Sequence, residues 1–382
     1  RRVGCECCLS EEKISMKIII APDKFKGSID SISLCNAIHK EIVLLYPDAE
    51  VKMFPLADGG DGFSQIIHHY IGTSPVAAQT TDPLGRSIVA RYQYASSNQT
   101  AFIEMAAASG LALLAPSERN PYKTSTYGTG LLIRDAITRG ATHIILGIGG
   151  SATTDGGIGM ADALGYMFLD AQGDPLEPCG ENLQLINEII LPESDFLENI
   201  QFTIACDVKN PLFGPNGAAY VYGPQKGATP EQVKKLDEGL AHLDALFMKF
   251  FGRSVAENPG AGAAGGLGAG CDVFLGARLI PGIEYIFDYI DLKKEIADAD
   301  LIITGEGMLD EQSMQGKVVG HVAEIAKKHD KPVRVICGQH ENCDAHKILL
   351  DKVVTLASIA DSLETSISQP LLFIPQAVKN IF

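Results

Sequence analysis

The stretch GIGGSATTDGGIGMADALG, residues 147–165, decides how we interpret the fold of this chain. It continues the apolar run of residues 143–148, which predicts a buried strand that ends in a glycine-rich loop. Glycine lacks a Cβ and adopts positive φ, so the backbone N–H groups of such a loop are free to face an anion. The loop also carries a carboxylate, Asp155. We therefore predict half of a phosphate site here, completed by distant segments of the chain.

Other predicted strands end in the same way. Any single polar, glycine-containing loop is most often a solvated turn, because Asp and Gly favour turns for local reasons. Five in one chain together offer carboxylates for Mg²⁺, amides and lysines for phosphates, and a carboxylate as general base, which are the parts that phosphoryl transfer needs. The loops are PDKFKGS (22–28), DGGDG (58–62), SATTDGG (151–157), CDVKNP (206–211) and GEGMLDEQ (305–312).

The order of predicted elements indicates an α/β fold with two domains. Residues 16–75 and 285–382 alternate apolar strands with amphipathic helices, which predicts a discontinuous doubly wound (Rossmann/flavodoxin-like) parallel-sheet domain. Residues 76–284 include an alternating, antiparallel-type strand and predict an inserted mixed α/β domain. Residues 1–15 read as a leader or vector-derived segment. We expect the site in the cleft between the domains, at the carboxyl ends of strands.

Composition excludes several functional classes. The 382 residues carry a net charge of −16 without a basic block, so we expect neither nucleic acid nor a membrane surface as a partner. No apolar run has the length of a membrane span, and no secretory signal is visible. Nine cysteines in no regular framework indicate free thiols in a reducing compartment. We predict a soluble cytoplasmic protein.

A dinucleotide fingerprint is the first competing interpretation of the opening stretch. Residues 147–152 fit G-x-G-x-x-A, and Asp170 follows about twenty residues on. However, residues 153–157, TTDGG, disfavour the crossover helix that this motif requires. A nicotinamide-dependent hydroxy-acid dehydrogenase is thus the less favoured alternative.

Two further motifs fail on their spacing. Gly316-Lys317 resembles the end of a P-loop, but Glu311 and Val318 replace the required Gly and Ser/Thr. A run of Cys and His at every third residue lacks the long spacer between the two ligand pairs of a zinc site, so we interpret it as a chance cluster. Its members are Cys337, His340, Cys343 and His346.

An ordered set of motifs from Met16 to the C-terminus resembles the type I glycerate kinase family. The motifs are APDKFKGS, LADGGDG, DPLGR, EMAAASGL, NPYKTSTYGTG, GIGGSATTDGG, CDVKNPLFGPNGAAYVYGPQKGA, GAGAAGGLG and GEGMLDEQSMQGK. The resemblance implies a two-domain enzyme that phosphorylates D-glycerate with ATP and Mg²⁺, with 2-phosphoglycerate as the favoured product and 3-phosphoglycerate as the alternative. Thr154 and Met308 depart from the family, which commonly has Asn and Arg there, and Met308 cannot donate to an anion.

Candidate catalytic and metal residues come from the strand-end loops. Asp207 is the first choice for metal ligand or base, because it ends an apolar strand, although it could equally cap a helix or turn. Lys26 and Lys317 would neutralise phosphoryl charge. Mg²⁺ takes only one or two carboxylates, so not all of the acidic candidates are direct ligands. The metal candidates are Asp155, Glu306 and Asp310.

Binding residues complete the predicted site. The amides of Gly149, Gly150 and Ser151 would face phosphate oxygens. Arg86 suits the carboxylate of glycerate because Arg pairs with carboxylates bidentately, but it could equally anchor its own turn to Asp82. The other substrate candidates are Ser28, which is also a possible N-cap of the helix after it, and Ser109.

The predicted reaction is in-line attack by a glycerate hydroxyl on the γ-phosphate of ATP, with domain closure excluding water. The partners would be small molecules, and a homodimer is left open. A non-catalytic ligand-binding module is the rival from another class, and it would bind ATP without turnover.

Overall fold

The computed structural model describes residues 16–57, 63–193, 196–314, 317–341 and 348–382, without the side chains of residues 63, 64 and 312. The predicted leader (1–15), the DGGDG loop (58–62) and two members of the Cys/His run, Cys343 and His346, lie outside the described residues. The chain divides into two compact units. Unit 1 comprises the chain up to Leu56 together with Asp291–Phe382, and unit 2 comprises Ala57–Ile290.

The strands are short. In chain order they are β1 (Lys17–Ile20), β2 (Glu50–Met53), β3 (Ser74–Thr81), β4 (Ser87–Ala95), β5 (Thr100–Glu104), β6 (His143–Gly147), β7 (Met167–Leu169), β8 (Glu188–Ile190), β9 (Gln201–Ala205), β10 (Arg278–Ile280), β11 (Leu301–Thr304), β12 (Met308–Leu309), β13 (Val333–Cys337), β14 (Gln339–His340) and β15 (Lys352–Thr355).

The helices connect and cover these strands. In chain order they are α1 (Ser31–Leu45), α2 (Phe63–Ile71), α3 (Ala106–Ser109), α4 (Tyr127–Thr138), α5 (Ile158–Ala163), α6 (Ala218–Tyr222), α7 (Pro230–Phe251), α8 (Ala263–Leu275), α9 (Gly282–Tyr289), α10 (Leu292–Ala297), α11 (Val318–Lys328), α12 (Leu363–Ser368) and α13 (Ile374–Ile381). No helix in the described part of the chain is long and apolar enough to cross a membrane.

Unit 1 contains a five-stranded parallel sheet in the order β15-β13-β11-β1-β2. The apolar residues Ile18–Ile20 of β1 are fully buried, as expected for a parallel strand that is covered on both faces. Helices α1 and α13 pack against each other and share one core with the sheet. Asp30, whose carboxylate accepts from the Ser33 N–H, caps α1, so the sequence-based choice of Ser28 as the N-cap is wrong.

Unit 2 contains a six-stranded mixed sheet in the order β10-β9-β6-β5-β4-β3. Strands β3, β4 and β5 are antiparallel, whereas β5, β6, β9 and β10 run parallel. The predicted α/β class, with one parallel and one mixed sheet, is confirmed. Gly147 of β6 lies in register with Ala205 of β9, so the loops that follow these strands begin side by side.

The composition of the glycine-rich segment 260–270 predicts close backbone packing, because glycine lacks a Cβ. The segment leads into α8 and forms most of it. Within α8, Gly265 has φ +72 and carries no Cβ. A Cβ on Gly265 would lie 2.0 Å from the carbonyl oxygen of Thr153, and one on Gly270 would lie 2.5 Å from that of Gly156. The Gly156 N–H also donates to the Gly265 carbonyl at 3.0 Å. The expectation of close packing is therefore confirmed, and the partner is the loop after β6.

The unit boundaries fall at residues 56/57 and 290/291. The described part of residues 57–75, including α2, is grouped with unit 2, whereas the sequence assigned it to the discontinuous domain. The domain boundaries at residues 75 and 285 stay a prediction about independently folding domains.

Candidate active site

A cavity of about 330 Å³ lies at the carboxyl ends of β6 and β9 in unit 2. Residues 148–151 and 205–208 form much of its wall, and residues 225–226 and 263–264 contribute the rest together with Leu111 and Tyr222. The parallel pairing of β6 with β9 explains why two loops that are far apart in the sequence meet here. The structure thus brings the candidates Gly149, Gly150, Ser151 and Asp207 to one cavity.

Two backbone hydrogen bonds to the segment around Gly110 anchor the loop formed by residues 148–152. Gly150, with φ +73, accepts from the Leu111 N–H at 2.9 Å, and the Ala152 N–H donates to the Ser109 carbonyl at 2.9 Å. Within the described part of the chain, the amides of Gly149, Gly150 and Ser151 donate to no protein acceptor. Successive unpaired amides on a fixed loop are suited to bind an anion.

Asp155 is fully buried beneath this loop. Its Oδ2 accepts from the N–H and the hydroxyl of Thr126, both at 2.7 Å, and from the Gly159 N–H at 3.3 Å, while Oδ1 accepts from the Gly157 N–H at 3.2 Å. Burial raises the pKa of Asp155, and these donors oppose that effect. Because protein donors surround both oxygens, we revise the predicted metal-ligand role of Asp155 to a scaffolding role that ties the loop to the starts of α4 and α5.

Asp207 follows β9 and lines the cavity. Its carboxylate is exposed, and Oδ1 accepts from the N–H of Gly282, the first residue of α9, at 3.0 Å. The capping interpretation is therefore correct. It does not exclude a role in chemistry, because the side chain of Asp207 stays exposed at the wall of the cavity.

Lys226 is the residue that the sequence analysis missed. Only 2% of it is exposed, and its Nζ donates to the Ser151 hydroxyl at 2.7 Å and to the Thr153 carbonyl at 2.6 Å. Burial lowers the pKa of Lys226 to about 7, whereas the charge of Asp155 acts to raise it. The signal available in the sequence was the PQKGA segment within the family motifs, where Lys226 reads as an ordinary loop lysine.

Unit 1 gathers a second set of ionisable groups at the end of β11. Lys317 Nζ lies 3.8 Å from Glu306 Oε2 and 3.6 Å from Asp310 Oδ1. Glu306 is 6% exposed, and its buried Oε1 has no hydrogen-bond partner among the described residues. Burial raises the pKa of Glu306 to about 7, although the Ser313 hydrogen bond and the Lys317 charge act to lower it.

Lys26 lies at the same end of the unit 1 sheet. Its side chain is exposed, and a Cβ on Gly307 would come within 3.2 Å of the Lys26 backbone nitrogen. The strand-end loops after β1 and β11 are therefore packed together. Ser28 donates through its hydroxyl to the Ile367 carbonyl at 2.5 Å.

The remaining substrate candidates, Arg86 and Ser109, have protein partners. Arg86 Nε donates to Asp82 Oδ2 at 2.5 Å, and its Nη1 donates to Glu118 at 2.6 Å, so the alternative that Arg86 anchors its own turn is correct. Ser109 is fully buried, and its hydroxyl pairs with that of Thr129 at 2.8 Å. This burial favours a packing role for Ser109 over the predicted contact with substrate.

Comparison with known proteins identifies the family of this chain. The model of the glycerate kinase family matches residues 18–382. The chain belongs to the glycerate kinase family. The predicted resemblance and the assignment as an enzyme of this family are confirmed.

Individual glycerate kinases are similar over most of their length. The glycerate kinase of Halalkalibacterium halodurans is 42% identical over 369 residues, with 95% of this chain and 97% of the relative covered. The glycerate 2-kinase of Escherichia coli K12 is 44% identical over 324 residues, with 85% of each chain covered. A crystal structure from Salmonella typhimurium LT2, provisionally described as glycerate kinase 2, superposes with a TM-score of 0.83 at 41% identity, covering 96% of this chain and 98% of the other.

The two departures from glycerate kinase motifs lie in different surroundings. Thr154 is fully buried, and its hydroxyl has no hydrogen-bond partner in the part of the chain that the structure describes. Met308 is 38% exposed on β12, which pairs with β14.

Glycerate kinases act on a phosphoryl group, so we tested whether the residues present suit Mg²⁺. The described residues contain no group of three or more His, Cys, Asp or Glu side chains placed to hold a metal ion. Mg²⁺ does not require such a cage, since it keeps waters and binds one or two carboxylates together with substrate phosphates. The unpaired, buried Oε1 of Glu306 beside Asp310 fits that donor set.

Proposed function

We propose that this protein phosphorylates D-glycerate with ATP and forms 2-phosphoglycerate. The observation that carries the proposal is the unit 2 cavity, where the unpaired amides of residues 149–151 and the carboxylate of Asp207 line one space. Membership of the glycerate kinase family supports the reaction type. The similarity to a relative named glycerate 2-kinase supports phosphorylation at the 2-hydroxyl rather than at the 3-hydroxyl.

In the proposed reaction, the 2-hydroxyl oxygen of glycerate attacks the γ-phosphorus of ATP in line with the leaving oxygen of ADP. One O–P bond forms, the bond to ADP breaks, and the hydroxyl proton passes to Asp207. The amides of Gly149, Gly150 and Ser151 donate to the phosphate oxygens. Fixed donors of this kind stabilise the transition state because they need no reorganisation as charge develops.

Unit 1 supplies the proposed metal and charge-neutralising residues. Glu306 and Asp310 would hold Mg²⁺, which neutralises phosphate charge when bound. Lys317 already lies between these carboxylates, and with Lys26 it is our candidate for pairing with phosphoryl oxygens. Arg86 remains a candidate for the carboxylate of glycerate, provided that it exchanges its present partners.

A coupled assay tests the proposal and its regiochemistry. Purified protein is incubated with D-glycerate and Mg·ATP, ADP release is measured, and the product is offered to enolase without phosphoglycerate mutase. Enolase accepts only the 2-phosphate, so we expect a signal without mutase. A signal that requires mutase would indicate 3-phosphoglycerate. ADP release that does not depend on glycerate, or nicotinamide reduction with hydroxy acids, would refute the proposed reaction.

We also propose that the enzyme works in the cytoplasm. Five cysteines of the described chain, Cys35, Cys179, Cys206, Cys271 and Cys337, are buried and free, which suits a reducing compartment. Cell fractionation tests the location, and light scattering after size-exclusion chromatography tests whether the protein forms a homodimer.

A further inference from the structure

Lys226 is buried, and its ammonium group has no described carboxylate within ion-pair distance. Lysine is almost never fully buried unless it is paired, because burial of an ammonium group without a counter-charge is strongly unfavourable. Among the described residues, no carboxylate lies within ion-pair distance of Lys226, and the oxygens of nearby Asp155 are already bonded to Thr126, Gly157 and Gly159. Packing alone therefore does not account for a lysine at this position.

The backbone fixes Lys226 in place. Its N–H donates to the Gly223 carbonyl at 3.0 Å, and Gly227 follows with φ +94. A Cβ on Gly227 would lie 2.2 Å from the Arg119 carbonyl oxygen, so only glycine permits this approach of the two segments. The turn thus aims Lys226 inward, whereas a flexible loop would let the side chain reach solvent.

The Nζ atom links the cavity wall to the loop beneath it. An ammonium group has three N–H donors, and two of them reach Ser151 Oγ and the Thr153 carbonyl. Ser151 is one of the three cavity-lining residues whose amides donate to no acceptor in the described part of the chain. Lys226 is also the only cationic residue among those that line the described cavity, where Asp207 supplies the opposite charge.

We propose that Lys226 is a positioning residue for the phosphate-bearing substrate. It holds Ser151 and Thr153 in place and thereby fixes the loop whose unpaired amides, those of residues 149–151, line the cavity, and its positive charge offsets that of the anion bound there. This inference rests on the proposed function only in naming that substrate as ATP. An arriving phosphate would supply a counter-charge at ion-pair distance, which no described carboxylate provides.

Titration calorimetry with ATP, in the absence of glycerate, tests the inference separately from catalysis. We expect Lys226→Met, which removes the charge and the donors and shortens the side chain by only one atom, to weaken ATP binding at least tenfold. Lys234→Met is the matched control, because Lys234 is a lysine on the exposed face of α7 with 71% of its side chain exposed. The control should bind ATP like the wild type. Equal ATP affinity of the folded Lys226→Met and wild-type proteins would overturn the inference.

A double-mutant cycle with Ser151→Ala shows whether Lys226 acts through the loop. Ser151 is only half-buried, so this variant should fold even if Lys226→Met does not. We expect Ser151→Ala alone to weaken ATP binding, and we expect the double variant to bind no more weakly than Lys226→Met, because the two side chains share one contact. Strictly additive losses, or no loss in Ser151→Ala, would contradict the positioning role.

Steady-state kinetics distinguishes positioning from general destabilisation. In Lys226→Met, the KM for ATP should rise more than the KM for glycerate, whereas partial unfolding lowers kcat and leaves both KM values unchanged. If the wild type binds ATP but does not phosphorylate glycerate, the proposed function fails while the binding results still decide the role of Lys226. If the wild type does not bind ATP, both proposals fail.

Discussion

Replacement of Gly265 by Ala should damage the site through the backbone alone. Gly265 has φ +72 and ψ +32, a left-handed conformation that disfavours residues with a Cβ by roughly 1–2 kcal/mol. The added Cβ would lie 2.0 Å from the Thr153 carbonyl oxygen and 2.6 Å from the Thr154 Cα, against an optimum of about 3.5–4.0 Å. Neither neighbour is a flexible side-chain end, so the backbone must move by about 1 Å or more.

The magnitude follows from three contributions. Strain from φ and overpacking of the kind seen in dense cores, about 1–3 kcal/mol, both destabilise the variant. The lower entropy of the unfolded chain returns about 0.4–1 kcal/mol. We therefore expect the free energy of unfolding to fall by about 2–4 kcal/mol in urea titrations. ATP binding should also weaken, because the Thr153 carbonyl that must move is the acceptor for Lys226 Nζ.

Gly276→Ala is the matched control at the other end of the same helix. Gly276 also has positive φ, +61, but a Cβ there would meet no atom within 4 Å. The control variant has the backbone strain of a residue with positive φ but no steric clash of the added Cβ. Its free energy of unfolding should therefore fall by about 1 kcal/mol or less, and its ATP affinity should not change. If Gly265→Ala and Gly276→Ala proved equally stable, close packing of α8 against the loop would not be what requires glycine at position 265.

Three further predictions concern the ionisable residues. Asp207→Asn should lower kcat at least about 100-fold with an unchanged circular dichroism spectrum, and near-normal turnover would remove Asp207 from the chemistry. The raised pKa of Glu306, from 4.5 to about 7, means that its stabilising contribution is complete below pH 4.5 and is lost as the pH rises through 7. In urea titrations at pH 8, the free energy of unfolding of Glu306→Gln should therefore exceed that of the wild type by up to about 3 kcal/mol, and this difference should vanish near pH 4.5. A difference that does not depend on pH would contradict the burial argument. Asp310→Asn should raise the Mg²⁺ concentration needed for half-maximal activity after EDTA treatment, and an unchanged requirement would exclude Asp310 as a ligand.

The strands and their end loops could be predicted from the sequence because their signal is local. Continuous apolar runs such as Ile18–Ile20 are fully buried, and the glycine-rich segment 260–270 packs closely, as its composition indicated. The order of the strands had no such signal. Pairing of β6 with β9 brings together residues about 60 positions apart in the sequence. Two other strands, β7 and β8, lie between them, and the hydrophobic pattern does not show which of these strands pairs with β6.

The burial of Lys226 could not be predicted from the sequence, because residues far away in the sequence bury its side chain. A lysine in a loop is usually exposed, and nothing next to Lys226 in the sequence contradicts that expectation. The approach of Gly227 to Arg119 and the acceptors at Ser151 and Thr153 decide its position, and all of these partners lie more than 70 residues away. Tertiary contacts of this kind override local preference at sites where sequence rules are expected to fail.

Asp155 and Asp207 have similar sequence contexts but different surroundings in the folded chain. Both follow apolar runs of the sequence, so the same argument for metal or catalytic chemistry applies to each, and the strands β6 and β9 that precede them are neighbours in one sheet. Their donors differ. Thr126, 29 residues upstream, and the loop amides supply four hydrogen bonds that enclose the buried Asp155, whereas Asp207 accepts from Gly282 and stays exposed at the cavity. A buried carboxylate enclosed by protein donors can shape a site, but a carboxylate exposed at a cavity can accept a proton from a ligand, and only the folded chain determines which is which.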